Sequence, residues 1–116
     1  MKKERSFERD SILYKLSVLD LKNNQTLGYL GDISKEGILI FSPKALISKE
    51  NLLLRISLPP EDFSLPFFDI TVEVRWSKPD VPRTDLFASG CLIVDGHQKF
   101  ADIIEKLMEI YGFLKF

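Results

Sequence analysis

Apolar and polar residues alternate along several short segments of the chain, and this spacing is typical of half-buried β-strands. The pattern is clearest over residues 67–76, where every second side chain is apolar and these side chains are predicted to share one face (Phe68, Ile70, Val72, Val74 and Trp76). Strands are predicted over residues 12–20, 27–33, 38–41, 52–58, 67–76 and 86–94. Six short strands of this kind favour an antiparallel barrel or sandwich.

The segments between these strands hold residues that turn the chain or stop a strand. Residues 23–24 are both asparagine and predict a turn, and residues 59–60 are both proline, which cannot donate to a β-ladder. Residues 38–41 are all apolar and are predicted to be buried on both faces. Residues 78–85 hold two prolines and four charges, and they are predicted to form a hairpin loop.

A helical spacing replaces the strand pattern near the end of the chain. Asp95 and Gln98 have the spacing of a capping box, and Gly112 is suited to follow the helix. The polar side of this segment carries acids as well as bases, which favours a helix laid over one end of the barrel over a helix on a membrane surface. The apolar stripe consists of Phe100, Ile103, Ile104, Leu107, Met108 and Tyr111.

Length and composition predict a single soluble domain. The chain has 116 residues, 45% of them apolar, with a net charge of −1, so its overall charge does not favour nucleic acid as a partner. Residues 1–11 carry seven charges and are predicted to be a flexible arm, while residues 12–116 form the domain. The start of the chain has no signal-peptide pattern, and the longest apolar runs, about six residues, are too short to span a bilayer. We therefore expect a cytoplasmic protein without direct membrane insertion.

The residues that usually carry catalysis are sparse. Cys91 is the only cysteine, which rules out an intramolecular disulfide, and its apolar surroundings predict a buried, inert thiol. His97 is the only histidine, and no cluster of residues has the spacing of a metal site or of a phosphate-binding glycine loop. Arg75 and Trp76 are too few to form a nucleic-acid stacking surface. The sequence therefore does not favour an enzyme, and it predicts no cofactor.

Two short motifs carry the functional signal. Arg5 and Arg9 form an R-x-x-x-R pair in the arm, and Asp32, Ser34 and Gly37 form a D-x-S-x-x-G motif between the second and third predicted strands. Taken singly, the pair is compatible with solvated surface and the second motif with an ordinary turn. Together they resemble the paired signature of the PilZ family, and the resemblance covers essentially the whole chain. It implies an all-β fold with one helix: a six-stranded antiparallel PilZ-type β-barrel, a C-terminal α-helix and a flexible N-terminal arm.

The resemblance also implies a ligand, since PilZ domains bind the bacterial second messenger cyclic di-GMP. By resemblance, Arg5 and Arg9 would hold the phosphates and guanine edges, because a guanidinium offers paired donors. Asp32 and Ser34 would hydrogen-bond the guanine base, and Gly37 would allow the tight turn beneath it. Ordering of the arm around the ligand would then signal to a downstream effector protein that controls motility, biofilm formation or polysaccharide synthesis.

Two features leave alternatives open. Acidic residues surround the arginines of the arm, and Gly90 is followed three residues later by Ile93, where the family often has an aromatic residue. Some PilZ-like proteins act only through protein contacts, so an adaptor with weak or no nucleotide binding is the alternative function. The apolar tail at residues 113–116 would suit docking or a homodimer, or would complete the core.

Overall fold

In the residues that the structure describes, the fold is an antiparallel β-sheet followed by one helix. The computed structural model describes residues 16–81, 83–96 and 98–111. This part of the chain confirms the predicted fold class. Its elements are β1 (Ser17–Asp20), β2 (Gln25–Ile33), β3 (Gly37–Ser42), β4 (Asn51–Ser57), β5 (Phe67–Asp80), β6 (Arg83–Asp95) and α1 (Ala101–Tyr111).

The six strands close into a barrel in the order β1-β2-β3-β6-β5-β4. The short strand β1 closes it, because Val18 lies opposite Gly28 of β2 on one side and opposite Ile56 of β4 on the other. Every neighbouring pair of strands is antiparallel. Closure pairs the backbone groups that an open sheet would leave at its two edges.

Alternating side chains of the strands fill the barrel, and helix α1 covers one opening. Ile104 and Leu107 of the helix are fully buried, and the ring centroid of Phe100 lies 5.5 Å from that of Phe68 in β5. This confirms the predicted packing of the helix on the barrel. The fully buried apolar side chains of the strands are Val18, Ile40, Leu54, Ile56, Phe68, Ile70, Val72 and Val74.

The turns that the sequence predicts between the early strands are present. Asn24 adopts a positive φ of 60°, and its backbone N–H donates to the carbonyl of Asp20 at 2.8 Å. Asparagine tolerates this left-handed conformation better than most residues. Strand β4 ends at Ser57, just before the two prolines at residues 59–60.

The predicted loop over residues 78–85 is wrong, because strands β5 and β6 continue through most of it as a hairpin. Pro79 lies opposite Phe87 in the ladder. Proline is tolerated there because β4 pairs with β5 only as far as Glu73, so no strand on that side needs an N–H from residue 79. The charges and prolines of this segment therefore mark an edge of the sheet.

Two further predictions about local structure need correction. Asp95 does not cap the helix: it ends β6, and Gly96 follows with a φ of 101°, which is incompatible with the first turn of a helix. Residues 38–41 are not buried on both faces, since Leu39 and Phe41 are only half-buried on the outer side. Phe41 instead packs over Gly31, where a Cβ would lie 2.4 Å from its ring.

Several sequence predictions fall on residues outside the described part of the chain. These predictions concern the arm at residues 1–11, the first residues of the predicted first strand (12–15), His97, Gly112 and the tail at residues 113–116.

In the part of the chain that is described, no helix has both the length and the apolar character needed to cross a bilayer.

Candidate ligand-binding site

The turn between β2 and β3 is held by its own polar side chains. The Ser34 hydroxyl accepts hydrogen bonds from the backbone N–H groups of Glu36 at 3.3 Å and Gly37 at 3.2 Å. The Ser34 backbone N–H donates to the Gly37 carbonyl at 2.8 Å, and the Asp32 carboxylate accepts from the backbone N–H of Ile33 at 2.8 Å. Short polar side chains stabilise turns in this way. The turn is therefore organised without a ligand.

Gly37 is required for a reason that the sequence does not show. A Cβ at this position would lie 2.5 Å from the carbonyl oxygen of Cys91, because β3 and β6 approach closely here. The φ of Gly37 is not in the left-handed region. Among the glycines that the structure describes, only Gly96 has a positive φ. The glycine therefore serves the packing of the two strands that carry the site.

The turn forms one wall of an open cleft with a volume of about 560 Å³. Asp32, Ser34 and Gly37, the three predicted site residues that the structure describes, all line it. Arg5 and Arg9 lie outside the described residues. The opposite side of the cleft is formed by β5 and β6, and its lining residues there are Arg75, Trp76, Gly90, Cys91 and Leu92.

A β-bulge in β5 brings Arg75 and Trp76 to this cleft. Val74 lies opposite Cys91 and Trp76 lies opposite Gly90, so Arg75 is an extra residue in β5. The bulge reverses the alternation, and Trp76 is 43% exposed rather than buried on the face of Val74. The predicted inward orientation of Trp76 is therefore wrong. Strict alternation could not reveal the bulge, because it depends on pairing with β6.

The indole of Trp76 lies directly over Gly90. A Cβ at residue 90 would come within 2.4 Å of Cε2 and 2.5 Å of Nε1 of the ring. Only glycine leaves room for the ring in this position, which keeps the indole against the floor of the cleft. Lys78 approaches the same ring, with its Nζ 5.1 Å from the centroid.

The loop between β3 and β4 fixes the backbone of the bulge. The Lys49 N–H donates to the Val74 carbonyl at 2.6 Å, and the Val74 N–H donates to the Glu50 carbonyl at 2.9 Å. The Ser48 hydroxyl donates to the Arg75 carbonyl at 3.3 Å. With its backbone held on this side, Arg75 can present its exposed side chain to the cleft without a local rearrangement.

The charges of the cleft are unbalanced. Two of its described lining residues, Asp32 and Glu36, are acids, while Arg75 is the only base among them. Beneath them, burial raises the pKa of the Cys91 thiol to about 12, so this group is neutral and adds no charge. In the described part of the chain, no group of three or more His, Cys, Asp or Glu side chains could hold a metal ion. An anionic ligand would therefore need cations from elsewhere in the chain.

Comparison with known proteins identifies one family. The family model described as "PilZ domain" matches residues 3–107 of the 116-residue chain, a range that includes Arg5, Arg9, the β2–β3 turn and the bulge of β5. No curated protein and no solved structure matches the chain.

Proposed function

The chain belongs to the PilZ domain family, and from this premise we propose that it is a receptor for cyclic di-GMP that changes conformation on binding and relays the signal to a partner protein. The family is in general one of cyclic di-GMP receptors and not of catalysts. The observation that carries the proposal for this chain is the cleft itself. It places Asp32 and Ser34 of the motif turn together with Arg75 and the exposed indole of Trp76.

The cleft has the groups that guanine recognition needs. A carboxylate such as that of Asp32 accepts hydrogen bonds from the two donors on the Watson–Crick edge of guanine, and adenine does not offer this pair of donors. The indole of Trp76 offers a stacking surface, and stacking of a base on an aromatic side chain is worth about 1–3 kcal/mol. Asp32 would select the base, and Trp76 would add affinity.

The phosphates require the arm. Cyclic di-GMP carries two phosphodiesters, and the described walls of the cleft hold more acids than bases. In the proposed complex Arg5 and Arg9 supply the missing cations, and Arg75 adds a third guanidinium from the barrel. Closing of the arm over the ligand creates the new surface that a downstream effector in motility, biofilm formation or polysaccharide synthesis would recognise.

The chain contains a built-in probe of this proposal. Trp76 is its only tryptophan, so fluorescence excited at wavelengths that tyrosine does not absorb reports on the cleft. We expect cyclic di-GMP to quench or shift this emission, with matching heat in isothermal titration, and cyclic di-AMP to have little effect. No heat and no change in emission at protein concentrations in the tens of micromolar would contradict receptor function.

Arginine variants separate the site from the rest of the surface. Arg5→Ala and Arg9→Ala should each weaken cyclic di-GMP binding by about 1.5–3 kcal/mol, because each loses charge-assisted hydrogen bonds. Arg55→Ala is the matched control. Arg55 lies on the outer face of β4, where its Nε is 2.9 Å from Oδ1 of Asp69, and it does not line the cleft. Equal effects of all three variants would indicate non-specific attraction of the ligand.

An adaptor that acts through protein contacts is the alternative. Three large apolar side chains, those of Leu53, Leu65 and Phe67, are exposed on and beside strands β4 and β5 and would suit such contacts. Partner binding that is indifferent to cyclic di-GMP and to Arg9→Ala would support this function.

A further inference from the structure

We propose that Glu36 makes the cleft selective by repelling guanine nucleotides that carry more negative charge than cyclic di-GMP, such as GTP. This inference rests on the proposed function and concerns the same site. Glu36 is exposed in the motif turn and lines the cleft. It is one of the two positions that the D-x-S-x-x-G motif leaves variable between its serine and its glycine.

The position of Glu36 is fixed by its backbone. Its N–H donates to the Ser34 hydroxyl at 3.3 Å, and its carbonyl accepts from the N–H of Ile93 at 2.8 Å. The turn is thus attached to β6 at this residue, which fixes the backbone from which the exposed Glu36 side chain extends. In the proposed complex, a ligand with a guanine at Asp32 shares the cleft with this carboxylate, because Asp32 and Glu36 line it from the same turn.

The Glu36 carboxylate has no direct partner in the part of the chain that the structure describes. Among residues 16–81, 83–96 and 98–111, no ion pair or side-chain hydrogen bond engages it. Its neighbour Lys35 is exposed but does not line the cleft, and Arg75 is the base that does. With Asp32 directed to the base in the proposed complex, Glu36 is the acid of the cleft that is left to act on the phosphates.

Base recognition cannot by itself exclude other guanine nucleotides. The edge that Asp32 would read is the same in GTP and in cyclic di-GMP. The two differ in charge. Cyclic di-GMP carries one negative charge on each of its two phosphodiesters, whereas GTP carries more negative charge, all of it on one triphosphate. A fixed acid beside the phosphates raises the free energy of the more highly charged complex by a larger amount, and selectivity built on repulsion is common in specific sites.

The expected size of this effect is modest and measurable. Two extra charges about 7 Å from an exposed carboxylate, in water at 0.1 M salt, correspond to about a threefold loss of affinity. Glu36→Gln should therefore lower the ratio of the Kd for GTP to that for cyclic di-GMP about threefold, and Glu36→Lys about tenfold. Both effects should fade at 1 M salt, where the Debye length is about 3 Å.

Both dissociation constants can be measured for each variant by titration calorimetry and by the emission of Trp76, with thermal unfolding as a check on folding. Glu61→Gln is the matched control, since Glu61 is an exposed acid in the loop after β4 and does not line the cleft. Its Kd ratio should equal that of the wild type.

Other outcomes overturn the inference in distinguishable ways. If the ratio of the Kd for GTP to the Kd for cyclic di-GMP is unchanged in Glu36→Gln and Glu36→Lys, Glu36 does not repel the phosphates. Equal weakening of both nucleotides by Glu36→Gln shows that Glu36 accepts a hydrogen bond from guanine. Failure of the wild-type protein to bind cyclic di-GMP overturns the proposed function and this inference with it.

Discussion

At the scale of single residues, the cleft depends on Gly90. The indole of Trp76 occupies the space that a side chain at residue 90 would need, and a Cβ there would lie 2.4 Å from the ring. The family often has an aromatic residue three positions after this glycine, and here that position is Ile93, which is buried in the barrel. The aromatic side chain that lies over Gly90 belongs to Trp76 of the opposing strand β5.

Gly90→Ala should displace the indole and weaken cyclic di-GMP binding by about 1–3 kcal/mol, the worth of a base–aromatic stack. The displacement should also change the emission of Trp76 without ligand. Gly31→Ala is a matched control, because a Cβ there lies 2.4 Å from Cε2 of Phe41, outside the cleft. Both variants should lose a similar free energy of unfolding, but Gly90→Ala should lose more affinity for cyclic di-GMP. Equal losses of affinity would contradict the role of Gly90.

Cys91 should make the protein less stable at high pH. Burial raises the pKa of its thiol to about 12, whereas an unfolded cysteine ionises near pH 8.5. Between these values the unfolded state releases a proton that the folded state keeps, so the free energy of unfolding should fall by ~1.4 kcal/mol per pH unit above about pH 9. Urea unfolding of wild type and Cys91→Ala at pH 8 and pH 10 isolates this effect. A difference between the two proteins that is independent of pH would contradict it.

At the scale of elements, strand β5 has two functions along its length. From Phe68 to Val74 its side chains alternate regularly between the core and the outer face, and most of this part of the strand pairs with β4. Its pairing with β4 ends at Glu73, and after the bulge at Arg75 it turns Trp76 outward and continues as a hairpin with β6. The same element thus supports the barrel and presents the aromatic wall of the cleft.

Helix α1 contributes stability rather than ligand contacts. Leu107 is fully buried against the barrel, and on the exposed side Lys106 donates to the carbonyl of Asp62, with its Nζ 5.0 Å from the ring centroid of Phe63. Leu107→Ala should lower the free energy of unfolding by about 2–5 kcal/mol, because it leaves a cavity. The exposed Glu109→Ala, measured by the same urea unfolding, should change it by less than about 0.5 kcal/mol. A similar effect of both variants would mean that the helix does not seal the core.

At the scale of the whole molecule, the barrel holds the walls of the cleft in place without a ligand. Closure of the barrel through β1 gives each of the six described strands a paired neighbour on both sides, and backbone hydrogen bonds hold the walls of the cleft. The free energy of ligand binding should therefore add to the free energy of unfolding, because the barrel does not have to rearrange.

Cyclic di-GMP at 100 times its Kd should stabilise the folded protein by about 2.7 kcal/mol. For a domain of this size, that corresponds to a rise in Tm of roughly 10 °C. Differential scanning fluorimetry should show the rise for the wild type, and little of it for Asp32→Ala or with cyclic di-AMP. A rise of the same size with cyclic di-AMP would show that the cleft does not select the base.

The sequence by itself determined the class of the fold and one wall of the site. Period-two and helical spacing depend on which residues must avoid water, and this is a local property of each segment. The same is true of the β2–β3 turn, in which Asp32 and Ser34 bond to their own backbone neighbours. These features can therefore be predicted from the sequence without knowledge of how the strands pair.

The tertiary structure alone decided the other wall. The bulge at Arg75, the outward side of Trp76 and the need for glycine at residues 37 and 90 all arise where two strands distant in sequence meet. No spacing within one segment encodes such a meeting, because the register between β5 and β6 is set by the packing of the whole barrel. The motif turn could therefore be predicted from the sequence, but the aromatic cleft that it faces could not.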